Sequence, residues 1–185
     1  MGQHSDNARE KIIDAAEQVV IAAGARHLTL QAVAAKAGIS RGGLLYHFPD
    51  KEALLRGMLD RRRRHIAENR RRKRAEIPDG QGKEAAVYVL SLLDEDSGAN
   101  KDVSAAIIAS GTHNPGLLAP AREDHGHVIA DLTREGLSFE RAAVIALATS
   151  GLRFWEVMNL SPFTDGERGR IIAELLALAE KSQSK

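Results

Sequence analysis

The sequence predicts an all-α protein of about nine helices, and three observations carry that expectation. Apolar residues recur at helical spacing along the whole chain, and strand-like alternation is absent. Alanine and leucine are abundant while aromatics make up 4% of the 185 residues, a balance that favours helix over sheet. Ser, Thr or Asp precedes most apolar runs and Gly or Pro follows them, where caps and stops belong.

The first face is Ile12, Ile13, Ala16, Val19, Val20 and Ala23, with Asp6 or Asn7 placed to cap it and Gly24 to stop it. Thr29 caps a short second helix whose apolar face is Leu30, Val33, Ala34 and Ala37, and Gly38 ends it. Ser40 caps a third that runs to about Phe48, where Pro49 breaks it. Asp50 caps a long fourth helix reaching about Glu76, and "IPDGQG" follows as a turn-rich linker. The remainder reads as helices at 83–96, with Ala86, Val89, Leu90 and Leu93 on one face, at 101–110 and at 117–136. Another starts after Ser138 and runs to about Leu160. Thr164 and Glu167 form a capping box that opens the last helix.

Hydrophobic residues are 43% and charged residues 28%, ordinary for a soluble globular protein. With no cysteine, disulfides, thiolate metal sites and a thiol nucleophile are excluded. No apolar run approaches the roughly 18 residues of a membrane span. The start "MGQHSDNARE" lacks an apolar signal core, and Asp6 breaks the myristoylation pattern, so a cytoplasmic protein is expected. There is no Gly-rich phosphate loop and no Ser-centred nucleophile elbow, so neither enzyme activity nor a cofactor is expected. His113, His125 and His127 invite a metal, but positions 125 and 127 point to different sides of a helix, and no metal site is expected.

The net charge of +1 conceals a polarity. Residues 1–75 hold 16 Lys plus Arg against 8 Asp plus Glu, a net of +8, and residues 76–185 hold 10 against 17, a net of −7. The basic part is a candidate for nucleic acid and the acidic part for a different partner.

"ISRGGLLYHF", residues 39–48, contains two glycines, Gly42 and Gly43, in the first turn of its helix. Each weakens a helix by up to about 1 kcal/mol relative to alanine. Two helices joined by a Gly-containing turn make a helix-turn-helix, whose second helix enters the major groove. Leu44 and Phe48, one turn apart, can face the core. The glycines then fall where the helix tip would meet DNA, and the missing side chains let the duplex come close.

"LTLQAVAAKAGISRGGLLYHFPDKEALL", residues 28–55, resembles the DNA-binding motif of the tetracycline-repressor (TetR) family. The matching features are Thr29, Ala34, Gly38, Ile39, Ser40, Leu44, the "YHF" triplet at 46–48, and Lys51 with Glu52. Past residue 55 or so the chain agrees with the family only in length and helical character. The resemblance implies that Thr29 caps the second helix and meets a phosphate, that Gln31 lies near the groove edge, and that Ser40, Arg41, Gly42 and Gly43 form the recognition tip. It places Tyr46, His47 and Lys51 at backbone or base-edge positions. Arg41 suits a base reader, because guanidinium pairs bidentately with guanine. Lys51 suits a phosphate clamp. One departure stands out: many members have Tyr directly after the residue matching Leu44, and this chain has Leu45 there with Tyr46 next. That phosphate contact is then lost, moved to Tyr46, or replaced by an apolar contact with a thymine methyl.

"RRRRH" at 61–65 and "RRRKR" at 70–74 are also basic. At 1.5 Å per residue, Arg61 lies about 15 Å beyond Lys51 and Arg70 nearly 30 Å beyond. The first cluster is placed to reach flanking phosphates. The second is placed to solvate the arm or meet the acidic C-terminal part.

The resemblance further implies a small-molecule effector. Leu90, Leu93, Phe154, Trp155 and Met158 are the candidates to line its cavity. Ala143, Ala146, Leu147, Ser150 and Gly151, with Ile171, Leu175 and Leu178, offer a face suited to a four-helix dimer interface or to packing within the chain. The expected organisation is a DNA-binding domain at 1–50, a connecting helix at 50–76, and an effector-binding and dimerisation domain over 51–185. The expected function is a homodimeric repressor released from a palindromic DNA operator by its effector. The alternatives are an effector-independent DNA binder and a helical enzyme or carrier.

Overall fold

The computed structural model describes residues 2–93, 98–111 and 114–180, and among them it is all-helical. The elements are α1 (Gly2–Ala23), α2 (Leu30–Ala37), α3 (Arg41–His47), α4 (Lys51–Glu76), α5 (Lys83–Leu93), α6 (Gly98–Gly111), α7 (Ala119–Arg134), α8 (Phe139–Val157) and α9 (Asp165–Glu180). Short 3-10 turns stand at Ala25–His27 and Pro115–Leu118.

The caps read from the sequence are made. The Thr29 hydroxyl accepts from the Ala32 N–H at 3.1 Å, Ser40 from Gly43 at 3.0 Å, and Asp50 from Ala53 at 2.7 Å. Ser138 accepts from Arg141 at 3.3 Å. In the capping box, the Glu167 N–H donates to Thr164 Oγ1 at 3.3 Å and the Thr164 N–H donates to Glu167 Oε2 at 2.9 Å. Gly38 ends α2 in the left-handed region at φ 66°, a conformation that costs glycine nothing. Two boundaries differ from expectation. α1 begins at Gly2, so positions 6 and 7 lie inside it; residues 2–10 hold no proline to oblige a later start. α8 closes at Val157, three residues early, because Met158 caps it and Asn159 takes φ 58°.

The chain forms two compact units. The first holds residues 1–63 and 97–118, the second residues 64–96 and 119–185. This division does not coincide with a cut at residue 50, because α6 brings Val103, Ala106 and Ile107 into one apolar cluster with Ile12, Ile13, Leu28, Val33, Leu44, Leu54 and Met58. Each of the Val, Leu, Ile and Met side chains among these, once removed from water, contributes about 1.5–3 kcal/mol.

Phe48 positions the end of α3. Its ring lies on Gly57 of α4, where an added Cβ would stand 2.8 Å from Phe48 Cε1, and the Arg9 guanidinium lies 5.1 Å from the ring centroid. Glycine at 57 is therefore a requirement of close packing.

In the second unit α5 is central and contacts α7, α8 and α9. Its buried residues are Ala85, Val87, Tyr88, Val89, Ser91 and Leu93, whereas Ala86 and Leu90 are half-buried. The expected single face of 86, 89, 90 and 93 is corrected accordingly: a helix with neighbours on several sides is covered nearly all round. Inside this unit Asn69 of α4 donates to the Ser91 carbonyl, Tyr88 Oη lies 3.0 Å from Ser150 Oγ, and Arg168 joins Glu156 at 2.6 Å and donates to the Leu93 carbonyl at 2.7 Å. Among the described residues no helix is long and apolar enough to cross a membrane.

Candidate nucleic-acid interface

The interface is built on α2, the turn at Gly38, and α3. Val33, Ala34, Ala37, Leu44 and Phe48 bury one side of this pair. That burial dictates what faces out. Thr29, Gln31, Ser40, Arg41, Gly42, Gly43 and Lys51 are exposed, and Tyr46 is 82% exposed. Leu45 and His47 are half-buried, and the His47 ring meets Tyr46 edge-on at a centroid distance of 5.1 Å. The structure thus brings the ten sequence-derived residues onto one small unit.

Gly42 and Gly43 have a specific geometry. Both lie within a regular α-helix, and neither takes a positive φ. A Cβ added at Gly42 would have Ser40 Oγ as its nearest neighbour, at 3.9 Å, an ordinary contact. At Gly43 the same oxygen would stand at 3.3 Å and have to give slightly. Neither backbone conformation nor packing inside the chain demands glycine at 42. The Thr29 and Ser40 oxygens accept the cap bonds, and each keeps its O–H to donate outward.

Arg61 is not placed as expected. It turns to α1, with Nη2 2.5 Å from Asp14 Oδ1 and its other nitrogens 3.6 Å from Glu10 and Glu17. Positions 10, 14 and 17 share one face of α1, a spacing the sequence displays without naming the arginine that meets it. Burial works to lower the Arg61 pKa, but the Asp14 hydrogen bond and the fields of Glu17, Asp14 and Glu10 outweigh it and raise the value. The second cluster does meet acidic residues: Arg74 holds Glu84 through two nitrogens, and Arg70 lies over the Tyr88 ring at 5.5 Å. Arg74 is raised above its usual pKa chiefly by the Glu84 hydrogen bond.

The five ligand candidates do not share one environment. Leu93 is fully buried in the apolar core of its unit and Leu90 is half-buried. Phe154, Trp155 and Met158 are 40%, 42% and 37% exposed, and Trp155 stacks on Phe163 at 5.8 Å. His125 and His127 are exposed on α7, and His113 lies outside the described residues. The face offered for a dimer interface or for packing within the chain is divided. Ala146 and Leu175 are buried within the unit, while Val144 and Leu147 are 50% and 72% exposed. Val144, Leu147, Gly151 and Phe154, spaced by three and four, form the outward stripe of α8, and Met158 continues it at the cap.

A fold of this kind, with an open recognition tip on a helix-turn-helix, defines a DNA-binding regulator. Residues 12–58 match the family described as bacterial regulatory proteins of the tetR family, and residues 82–180 match the tetracyclin repressor-like C-terminal domain. The chain belongs to the TetR family of transcriptional regulators, which are not enzymes. It is 31% identical over 116 residues to the HTH-type transcriptional regulator SrpR of Pseudomonas putida, covering 62% of this chain and 52% of SrpR. The chain thus spans about half the length of that relative. It is 32% identical over 112 residues to the uncharacterised HTH-type regulator TtgW, also of Pseudomonas putida, covering 60% of this chain and 79% of TtgW. The multidrug binding protein EbrR, solved with imidazole, shares the fold at a TM-score of 0.76 and 20% identity, over 100% of this chain and 96% of EbrR.

Proposed function

We propose that the chain acts in the cytoplasm as a homodimeric repressor that binds a palindromic operator through α3 and releases it when a small molecule binds the second unit. One observation carries the DNA-reading part. At Gly42 an added Cβ would meet nothing closer than Ser40 Oγ at 3.9 Å, and the position is exposed, so the tip of α3 is open to what approaches from outside. A duplex pressed against the helix tip fits that opening.

Arg41 reads a base edge, Lys51 and Thr29 hold phosphates, and Gln31 lies at the groove edge. Tyr46, far more exposed than Leu45, takes the contact that the family's more usual tyrosine makes one position earlier. The apolar stripe of α8 supports dimerisation, since a row of large exposed apolar residues at heptad-like spacing is what a second helix covers. Two copies then present two recognition helices to successive major grooves about 34 Å apart. Topology supports the coupling: the chain leaves the second unit after α5, contributes α6 to the first unit against α1, and returns as α7. An effector that binds one arrangement of these helices better shifts the population away from the one that fits the operator.

The test is selection of binding sites from a randomised duplex library by the full chain. The expected product is a palindrome preferred over random duplex by at least about 10³-fold at physiological salt. Equal affinity for both removes the repressor reading. A thermal-shift and operator-release screen of small molecules, beginning with imidazole and malachite green, tests the effector. Thermal shifts that never accompany release leave an effector-independent DNA binder instead.

A further inference from the structure

Beside the helix-turn-helix, α1 and α2 enclose between them a groove of about 410 Å³, open along one side. Its lining is Gln18, Val19, Ala22 and Ala23 of α1, Arg26 and His27 of the 3-10 turn, and Thr29, Ala32 and Lys36 of α2. The charge is one-sided: Arg26 and Lys36 line it and no carboxylate does. Thr29, Ala32 and Lys36 stand at i, i+3 and i+7, which is one face of α2. Arg26 Nε donates to His27 Nε2 at 2.9 Å, which sets the plane of the guanidinium and leaves its two amino groups to an anion. Thr29 Oγ1 accepts the cap bond from Ala32, which leaves its O–H to donate into the groove.

We infer that this groove seats the sugar–phosphate backbone of the operator outside the base pairs that α3 reads. The inference rests on the DNA-binding reading above. Three features fit a polymer strand better than a small anion. The groove is open along its side, so a strand can enter and leave it. Its floor is small and apolar at Ala22, Ala23 and Ala32, which suits the C–H faces of deoxyribose. It is continuous with Thr29, the residue expected to hold a phosphate at the start of α2. Contacts of this kind add affinity and register without sequence information, and their signature is salt dependence.

The probe is the duplex selected by the wild-type chain, used with long flanks and again trimmed to the palindrome. Arg26→Gln and Lys36→Gln change exposed side chains and leave every core residue in place. On the long duplex each is expected to lower the slope of log K against log salt by about 0.9, so that raising salt from about 50 to about 200 mM costs each variant about 3.5-fold less affinity than wild type. The preference for operator over random duplex is expected to stay as in wild type. On the trimmed duplex the variants and wild type are expected to agree. Unchanged slopes on the long duplex overturn the inference while leaving the repressor reading in place, and so do equal losses on long and trimmed duplexes. A thermal shift with inorganic phosphate that both variants abolish, with DNA slopes unmoved, assigns the groove to a small anion instead and overturns it too. A wild-type chain that selects no duplex removes the repressor reading and this inference together.

Discussion

Arg61 Nη2 of α4 lies 2.5 Å from Asp14 Oδ1 of α1, across 47 residues of sequence. The arginine side chain is only 18% exposed, and it gathers Glu10 and Glu17 as well. Without it, Asp14 loses its hydrogen-bond donor and Glu10 and Glu17 lose a cation 3.6 Å away. Arg61→Ala is therefore expected to destabilise the fold by about 1.5–3 kcal/mol, the range for hydrogen bonds to charged groups. Chemical unfolding of the variant and wild type measures this. A variant of unchanged stability whose DNA binding loses salt dependence would show that Arg61 holds a phosphate after all.

Gly42→Ala separates helix stability from DNA access. Alanine outranks glycine in a helix by up to about 1 kcal/mol, and the added methyl meets nothing closer than 3.9 Å inside the chain. The free variant is expected to melt higher and bind the operator more weakly. Unchanged or tighter binding would mean that the glycines are only tolerated. Position 42 is the cleaner test, because a Cβ at Gly43 crowds the Ser40 cap at 3.3 Å.

Arg41 and Lys51 are expected to fail differently. Arg41→Ala should cost about 1–3 kcal/mol on the operator and relax specificity at one base pair, whereas Lys51→Ala should weaken all sequences alike and lower the salt slope by about one. Binding to a panel of single-base operator variants distinguishes them. Uniform loss in both would contradict the assignment of Arg41 as base reader.

Leu147, 72% exposed at the middle of the α8 stripe, tests assembly. Leu147→Asp adds a charge where the chain itself makes little contact, so each protomer is expected to stay folded. Sedimentation is expected to show a monomer, with affinity for the palindromic site falling alongside. A dimer that persists would move the interface elsewhere.

The Glu167 pKa is lowered, first by the Thr164 N–H and then by the Thr164 hydroxyl. A lowered carboxylate contributes stability that is complete above its unfolded pKa, near the ordinary value of 4.5, and that is lost as pH falls through the lower folded value. Glu167→Gln removes this contribution at every pH. The gap in melting temperature between wild type and variant is expected to be constant near neutrality and to close as pH falls below about 4.5. A gap independent of pH would show that the cap acts through geometry alone.

The sequence by itself determined the elements and the exposed tip of α3. Thr29, Ser40, Asp50, Ser138 and Thr164 each satisfy an N–H three residues ahead, so a few consecutive residues decide where those helices start. Gly38, the glycine pair and the Leu44–Phe48 spacing likewise act within one or two turns. Only the tertiary structure decided which faces meet. α6 joined the first unit because Val103, Ala106 and Ile107 found the core of α1 and α4, and nothing local records that choice. Arg61 turned from the expected phosphates to three carboxylates distant in sequence. On α8, Ala146 and Leu147 differ by about 100° of rotation, enough to send one inward and the other to solvent. The groove at Arg26, Thr29 and Lys36 exists because α1 and α2 pack side by side with small residues between them. Periodicity shows that a helix has an apolar face, but what that face meets depends on the packing of elements far apart in the chain.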